Sequence, residues 1–326
     1  MIVGQDRALD QFASAWATRK LHHAWLLAGP KGVGKASFAH AAARRVLAEA
    51  AGPPVGGEGL TSDDDHPIVK LVEAGSHPDM RRLVRQVNEK TGNLNRNIKV
   101  EQVRELGEFL SMTPALSPWR VAVIDTVDEL EGSGANALLK MLEEPPPNTL
   151  FFLVSHAPGR LLPTIRSRCR RLDFAKLDDD AMTSILTREA PDLGIAERQR
   201  IIAMSGGSAG RALAFAELGL AKIEDAALAI LRQGDPTNAR RSDLALELGK
   251  KGAADRYAAF LELAPSLIAR EARKLEGSTR VRALDAYAKA RELAAIAPRL
   301  SLDPASTVFQ IGGILAAVAQ PASLKR

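Results

Sequence analysis

The order of apolar and polar positions in the first half of the chain alternates between strand-like and helix-like patterns. Helical spacing of apolar residues predicts helices over residues 6 to 19, 35 to 50, 100 to 111 and 134 to 144. Short segments typical of strands occupy residues 25 to 28, 80 to 85, 120 to 125 and 150 to 154. Strands that alternate with helices predict a parallel sheet with helices on both faces.

The pattern changes at about residue 178, where strand-like segments stop. Residues 178 to 214 predict a small helical module, and residues 215 to 326 are rich in alanine and leucine and predict an all-α domain. Residues 51 to 66 are rich in Gly, Pro and Asp and predict a flexible excursion. We therefore expect three domains, with the α/β domain at 1–177, a helical lid at 178–214 and an all-α domain at 215–326.

A glycine-rich loop lies between the first predicted strand and the second predicted helix. It fits the phosphate-binding pattern G-x-x-x-x-G-K-[ST] at every position but the last, with the residues Gly29, Pro30, Lys31, Gly32, Val33, Gly34, Lys35 and Ala36. Such a loop turns its backbone N–H groups toward a phosphate, and Lys35 can reach the outer phosphates. The last position normally places a hydroxyl on magnesium, and Ala36 has none.

An acid at the end of a hydrophobic strand is the second part of a nucleotide site of this kind. Asp125 follows the apolar residues 121 to 124 and meets that requirement, although a simple helix-capping role is the alternative. Active ATPases of this type usually place a water-activating glutamate next, and Thr126 cannot act as a base near neutral pH. Asp128 and Glu129 are carboxylates too far along the chain to replace it.

Composition narrows the class of protein further. The 326 residues are 46% hydrophobic and carry a net charge of +5, which is compatible with a nucleic-acid neighbourhood and equally with an ordinary globular protein. The single cysteine, Cys169, excludes an internal disulfide and a cysteine-based zinc site. No signal peptide or membrane-spanning run is recognisable, so we expect a cytoplasmic protein.

Four motifs, in this order and spacing, resemble the clamp-loader branch of the AAA+ ATPases. They are G-P-K-G-V-G-K, V-I-D, A-N-A-L-L-K-M-L-E-E-P-P and S-R-C, and the triplet His77-Pro78-Asp79 and the loop at 88 to 92 add to them. The similarity is strong over residues 1 to 213 and extends to the C-terminal region only in general character. It implies a P-loop AAA+ module with a helical lid and an all-α collar domain.

The resemblance implies a role for individual residues. Lys35 and the loop amides would bind the nucleotide phosphates, and Asp125 would be the magnesium-associated acid. Ser155 matches the position that senses the γ-phosphate, and Arg211 matches the second sensor arginine. Arg168, within S-R-C, matches the arginine finger that such subunits insert into the ATP site of a neighbour.

The resemblance also implies a function. It predicts a stator-like clamp-loader subunit with little or no ATPase activity of its own, which holds ATP or ADP with magnesium bound weakly or not at all. The implied partners are gamma/tau- and delta-type subunits in a hetero-oligomeric ring, with the sliding clamp and primed DNA reached through the complex. The segment Val3-Gly4-Gln5 resembles the part that lines the adenine pocket.

Three alternatives to these assignments stay open. The chain could be a weakly active, gamma/tau-like motor ATPase of the same branch. A plain nucleic-acid binder or a small-molecule kinase is disfavoured, because the basic residues lack interleaved aromatic stacking partners and the clamp-loader motifs are present. Relatives carry a four-cysteine zinc module that residues 51 to 76 lack; His66 and His77 with the acids at 63 to 65 are conceivable ligands, but a solvated acidic loop is favoured.

Overall fold

The structure is a computed structural model that describes residues 2–52, 55–57, 59–88 and 94–319. Most of the loop expected at 88 to 92 therefore lies outside the described residues. The chain divides into two compact units, of which the first comprises Met1–Ser184 with Gly207–Gly210 and the second Ile185–Gly206 with Arg211–Arg326. The division into three domains, with a separate lid, stays a prediction.

The first unit is built on a five-stranded sheet in which every neighbouring pair of strands is parallel. Its strands are β1 (Ala24–Ala28), β2 (Met80–Leu83), β3 (Arg120–Asp125), β4 (Thr149–Ser155) and β5 (Arg170–Asp173), in the spatial order β2-β3-β4-β1-β5. The predicted parallel sheet is confirmed. In a parallel sheet all carboxyl ends lie along one edge, so the residues that follow β1, β3 and β4 come together there.

Helices cover both faces of this sheet. The first part of the chain forms α1 (Asp6–Ala17), α2 (Lys35–Ala50), α3 (Pro67–Glu73), α4 (Val100–Ser111), α5 (Gly132–Glu143), α6 (Pro163–Ser167) and α7 (Asp179–Glu189). Successive residues of the central strands enter different cores, as the strand period of two requires. Trp25 and Phe152 pack in one core with Phe12 and Phe38, whereas Leu26 and its neighbours pack in the other.

Among the described residues of the second unit, all regular elements are helices, which confirms the predicted all-α C-terminal region. The remaining helices are α8 (Ile195–Ser205), α9 (Ala209–Glu217), α10 (Ala221–Gln233), α11 (Ala239–Leu248), α12 (Ala254–Ala272), α13 (Gly277–Ile296) and α14 (Pro304–Ala316). Its interior contains a buried carboxylate, Glu224 of α10, whose Oε1 lies 2.6 Å from Arg270 Nη2 of α12. None of the helices that the structure describes is long and apolar enough to cross a bilayer.

Candidate nucleotide site

The glycine loop connects the end of β1 to the start of α2, as its pattern predicts. Gly32 and Gly34 have φ angles of +78° and +98°, in the left-handed region that side chains other than glycine rarely adopt. A Cβ at Gly32 would also lie 2.3 Å from Ser208 Oγ, so a larger residue has no room there. These conformations let successive backbone amides face the same point at the helix N-terminus, which is the arrangement that binds phosphate.

Lys35 is folded back into the loop that precedes it. Its side-chain Nζ donates to Gly29 O at 2.7 Å and to Pro30 O at 2.5 Å, and only 3% of the residue is exposed. Burial lowers the pKa of the Lys35 ammonium to about 8, and the carboxylates of Asp125 and Asp128 partly oppose this shift. The P-loop lysine therefore interacts electrostatically with Asp125, at the end of β3, and with Asp128, in the turn that follows.

Asp125 ends β3 where the sequence predicts it, but it has an arginine partner that the sequence analysis did not identify. Arg82 of β2 donates from Nη2 to Asp125 Oδ2 at 2.7 Å. The strands β2 and β3 pair in parallel with Arg82 opposite Val123, which brings the arginine beside the end of β3. The arginines of β2 are visible in the sequence, but their partner becomes apparent only from the register of the two strands.

Asp128 connects the turn after β3 to the end of β4. Its carboxylate accepts the Ser155 hydroxyl at 2.8 Å and the His156 backbone N–H at 2.6 Å. Ser155 is completely buried, and its hydroxyl proton is donated to this acid. The predicted sensor residue is thus brought into the acid cluster, and its role toward a γ-phosphate stays a prediction.

His156 is a second residue of the site that the sequence analysis did not identify. Its Nε2 lies 3.3 Å from Thr126 Oγ1, so the residue in the place of the usual glutamate contacts an imidazole. Burial lowers the pKa of His156, and the positive charge of Lys35 lowers it further. The ring is therefore neutral at neutral pH and adds no positive charge to the site.

The side chains at this edge of the sheet do not fit a resident magnesium ion. Mg²⁺ requires nearly octahedral oxygen ligands and is usually held through one or two carboxylates together with substrate phosphates. Asp125 is paired with Arg82, Asp128 already accepts two hydrogen bonds, and Ala36 has no oxygen in its side chain. Within the described parts of the chain, no group of three or more His, Cys, Asp or Glu side chains is arranged to hold a metal ion.

Arg168 follows α6, and its contacts are with α5 and α6. Its Nη2 lies 2.6 Å from Glu143 Oε1 at the end of α5, and its Nη1 donates to Thr164 O at 2.9 Å. One third of the side chain (33%) is exposed. These contacts orient the guanidinium while part of it remains accessible, and its action on a neighbour's ATP site stays a prediction.

Arg211 belongs to the second unit. Its Nη2 donates to Glu262 O at 3.2 Å, and its guanidinium carbon lies 5.4 Å from the centre of the Phe215 ring. These contacts fix its side chain against α9 and α12. The second-sensor role of Arg211 stays a prediction.

Gln5, in the segment expected to line an adenine pocket, contacts the P-loop directly. Its Nε2 donates to Val33 O at 3.2 Å and to Ala175 O at 2.9 Å, and 5% of the residue is exposed. The segment therefore positions the loop backbone through one amide side chain. Its contact with a base stays a prediction.

The His77-Pro78-Asp79 triplet has a structural role. The Asp79 carboxylate is buried and accepts the backbone N–H groups of Ala115, Leu116 and Ser117 at 2.7, 2.7 and 2.9 Å. His77 Nδ1 accepts the backbone N–H of Asp79 at 3.1 Å. The triplet thus orders the turn that leads into β3.

Neither Cys169 nor His66 shows the features of a reactive site. Burial raises the pKa of the Cys169 thiol to about 12, so the thiolate needed for nucleophilic attack is absent near neutral pH. His66 caps α3, because its Nδ1 accepts the backbone N–H of Ile68 at 3.2 Å. The segment expected to be a solvated loop thus contains a short helix, α3 (Pro67–Glu73), with His66 at its N-cap.

Comparisons with known proteins point to one family. A family model described as DNA polymerase III, delta subunit, matches residues 4–178. The chain is 37% identical over 186 residues to DNA polymerase III subunit delta' of Pseudomonas aeruginosa, a match that covers 57% of this chain and 53% of the relative. It is also 30% identical over 242 residues to DNA polymerase III subunit tau of Bacillus subtilis, covering 70% of this chain and 39% of the relative.

Among solved structures, the chain is similar to a DNA polymerase III gamma subunit-related protein from Thermotoga maritima. The TM-score is 0.47 at 15% sequence identity, over 95% of this chain and 98% of the other. The matches to the curated relatives span about half of their length or less. Because the family model covers more than half of the sequence and the Pseudomonas relative bears the corresponding name, this chain belongs to the DNA polymerase III delta-subunit family, as a delta prime-type member of the clamp-loader branch.

Proposed function

We propose that this chain is a stator-like delta prime subunit of the DNA polymerase III clamp loader. It helps to place the sliding clamp on primed DNA during replication and supplies Arg168 to the ATP site of a neighbouring subunit. The observation that carries the proposal is a contrast within the chain. Arg168 is held in place and partly exposed, whereas Ala36 and Thr126 lack the hydrolytic groups and Asp125 is paired with an arginine.

An arginine finger acts on the transition state of phosphoryl transfer. Its guanidinium neutralises charge that develops on the γ-phosphate oxygens, and a finger supplied in trans contributes roughly three to five orders of magnitude in rate. A chain can therefore be required for ATP hydrolysis at a neighbour's site without hydrolysing ATP itself. The ion pair with Glu143 is compatible with this role, because exposed ion pairs are weak enough to exchange for a phosphate.

The proposed partners follow from the same assignment. Gamma/tau- and delta-type subunits would form the hetero-oligomeric ring, with residues 215 to 326 contributing to a collar and residues 178 to 214 serving as a lid. The clamp and primed DNA are reached through the assembled ring. A cytoplasmic location accompanies this role in replication.

The glycine loop would bind a nucleotide that stabilises the chain and is hydrolysed slowly or not at all. Residues 29 to 36 would hold the phosphates of ATP or ADP through backbone amides and Lys35. Ser155 and Arg211 would respond to the nucleotide as first and second sensors. No water-activating carboxylate follows Asp125, which supports absent or weak hydrolysis.

Substitution of Arg168 in the assembled complex tests this proposal. All motor subunits except the one beside this chain would carry a P-loop lysine substitution, so that hydrolysis reports on the adjacent site alone. Arg168→Ala should lower that rate by about three to five orders of magnitude. Arg166→Ala, an exposed arginine two positions away, is the matched control and should leave the rate unchanged. Unchanged hydrolysis with Arg168→Ala would rule out the finger.

A weakly active motor ATPase is the second candidate, and the similarity to subunit tau of Bacillus subtilis favours it. Lys35 and Asp125 would then support slow turnover. Steady-state ATP hydrolysis by the isolated chain separates the two candidates. A rate equal to that of a motor subunit, abolished by Lys35→Ala, would replace the stator assignment.

A further inference from the structure

We propose that this chain binds its nucleotide as the metal-free polyanion, with the Arg82 guanidinium taking the place of magnesium beside Asp125. The inference deepens the nucleotide site of the proposed function and rests on that site. It concerns Arg82, for which neither the motifs nor the comparisons suggest a role. It makes the nucleotide affinity of this chain independent of divalent cations.

The contact between Arg82 and Asp125 is the first support. The carboxylate is 16% exposed, so it is largely withdrawn from water, and the donated hydrogen bond is 2.7 Å long. Charge-assisted bonds of this kind are short and strong compared with neutral ones. A magnesium ion at Asp125 would lie beside a guanidinium that already neutralises the charge of this carboxylate.

The remaining magnesium ligands of a P-loop site are also absent or in use. Ala36 supplies no hydroxyl, and Asp128 accepts hydrogen bonds from the Ser155 side chain and the His156 backbone. An ion bound here would depend on nucleotide oxygens and water alone. The side chains of this site therefore contribute little to the binding of a magnesium ion.

Arg82 has the capacity to act on phosphate as well as on Asp125. Its side chain is 54% exposed, and a guanidinium carries five N–H donors, of which the contact with Asp125 uses one. Planar N–H donors of arginine match phosphate oxygens in pairs. The charge of Asp125 also acts on Lys35, so the Arg82–Asp125 pair is within electrostatic reach of the phosphate loop.

The strand provides a matched control for Arg82. Arg81 precedes it on β2 and contacts the other side of the strand, with its guanidinium carbon 4.7 Å from the centre of the Phe109 ring. Adjacent strand residues alternate between faces, so Arg81 and Arg82 differ in environment but not in charge. Substituting either one changes the net charge by the same amount.

Titration of the full chain with mant-ADP, once with excess magnesium and once with EDTA, tests the proposal. The wild-type chain and Arg81→Ala should bind as tightly in EDTA as in magnesium. Arg82→Ala should bind at least about tenfold more weakly in EDTA, which corresponds to ~1.4 kcal/mol, and should regain affinity when magnesium is added. Arg82→Lys, which keeps the charge but not the planar donors, should lie between the two.

A second measurement guards against loss of binding by misfolding. Removal of Arg82 frees Asp125, so Arg82→Ala with ADP should bind Mn²⁺, observed by electron paramagnetic resonance, more tightly than the wild-type chain does. Wild-type binding that is tenfold tighter with magnesium, or an Arg82→Ala variant identical to wild type in both measurements, would overturn the proposal. Absence of mant-ADP binding in both arms would also overturn it, but would leave the Arg168 test intact, because that test reads the neighbour's ATP site.

Discussion

Arg168 and Glu143 form an ion pair in which the guanidinium Nη2 lies 2.6 Å from the carboxylate Oε1. The pair joins the residue after α6 to the last residue of α5, so two separate motifs, S-R-C and L-E-E-P-P, meet at one contact. The side chains are 33% and 46% exposed, which leaves the contact open to water. The pair orients Arg168 without immobilising it.

We expect the Arg168–Glu143 pair to contribute little to folding. Exposed ion pairs are worth about 0.2–1 kcal/mol and weaken as salt is added. Glu143→Gln should therefore lower the free energy of unfolding in urea by less than about 1 kcal/mol. A double-mutant cycle with Arg168→Met should give a coupling energy of that size, whereas Glu144→Gln serves as the neighbouring exposed control. A coupling of several kcal/mol would show that Arg168 is committed to Glu143 and unavailable to a phosphate.

Lys35 should make the stability of the first unit depend on pH. Its pKa falls from about 10.5 to about 8 on folding, because burial disfavours the charged form. Between these values the unfolded state binds more protons than the folded state, so stability rises with pH. The free energy of unfolding of the wild-type chain, relative to Lys35→Met, should be constant below about pH 8 and increase above it.

Urea denaturation of the wild-type chain and of Lys35→Met, carried out at several pH values, measures this difference. Lys31→Met removes the same charge from an exposed position of the same loop and controls for net charge. If the difference between wild type and Lys35→Met declines with rising pH, the ammonium is stabilised in the fold and the burial argument is wrong.

Substitution of Asp79 should strongly destabilise the fold. Its buried carboxylate accepts three backbone N–H groups of the turn at 115 to 117. Asp79→Ala leaves these donors without their acceptor, at a cost of about 1–3 kcal/mol for each that stays buried, so we expect a total loss of at least about 3 kcal/mol. Asp79→Asn keeps one acceptor oxygen and should lose less. Thermal unfolding, with exposed Asp10→Ala as the control, measures the difference; equal stability of all three variants would contradict it.

In the second unit, breaking the pair of Glu224 and Arg270 should destabilise the fold more than breaking an exposed pair does. Glu224 is 2% exposed, so Arg270→Met would leave a buried carboxylate uncompensated at a cost of about 3 kcal/mol. The double variant Glu224→Met/Arg270→Met should recover most of that loss, because well-packed apolar residues can replace a buried pair.

The pair of Arg200 and Asp225 is the exposed comparison within the same unit. Its side chains are 44% and 60% exposed at a separation of 2.9 Å, so Arg200→Met should cost less than about 1 kcal/mol. Chemical denaturation of Arg270→Met, of the double variant and of Arg200→Met measures these losses of stability. If Arg270→Met and Arg200→Met are equally mild, water reaches Glu224 and the burial argument fails.

The sheet and the phosphate loop could be predicted because both depend on local pattern. Apolar strands, the glycines at 32 and 34, and Asp125 at a strand end are all visible within a few residues of sequence. The strand β5 was missed, because three of its four residues are charged and it lies at the edge of the sheet. Edge strands commonly carry charge and so lose the apolar signature of a central strand.

The contacts within the site could not be predicted, because they join residues far apart in sequence. Arg82 and Asp125 are 43 positions apart, and Ser155 and Asp128 are 27 apart. Such pairs depend on strand order and register, which a single sequence does not reveal. The same limitation concealed His156, whose meaning depends on Lys35 and Thr126 as neighbours.

The amide of Gln5 has a mechanical consequence for the first unit. Its Nε2 donates both to the loop carbonyl of Val33 and to the carbonyl of Ala175, so one side chain joins the phosphate loop to the segment after β5. A ligand that displaces the loop therefore acts, through the Gln5 amide, on the segment after β5 as well. Gln5 thus couples the N-terminal segment, the phosphate loop and the segment after β5 within the first unit.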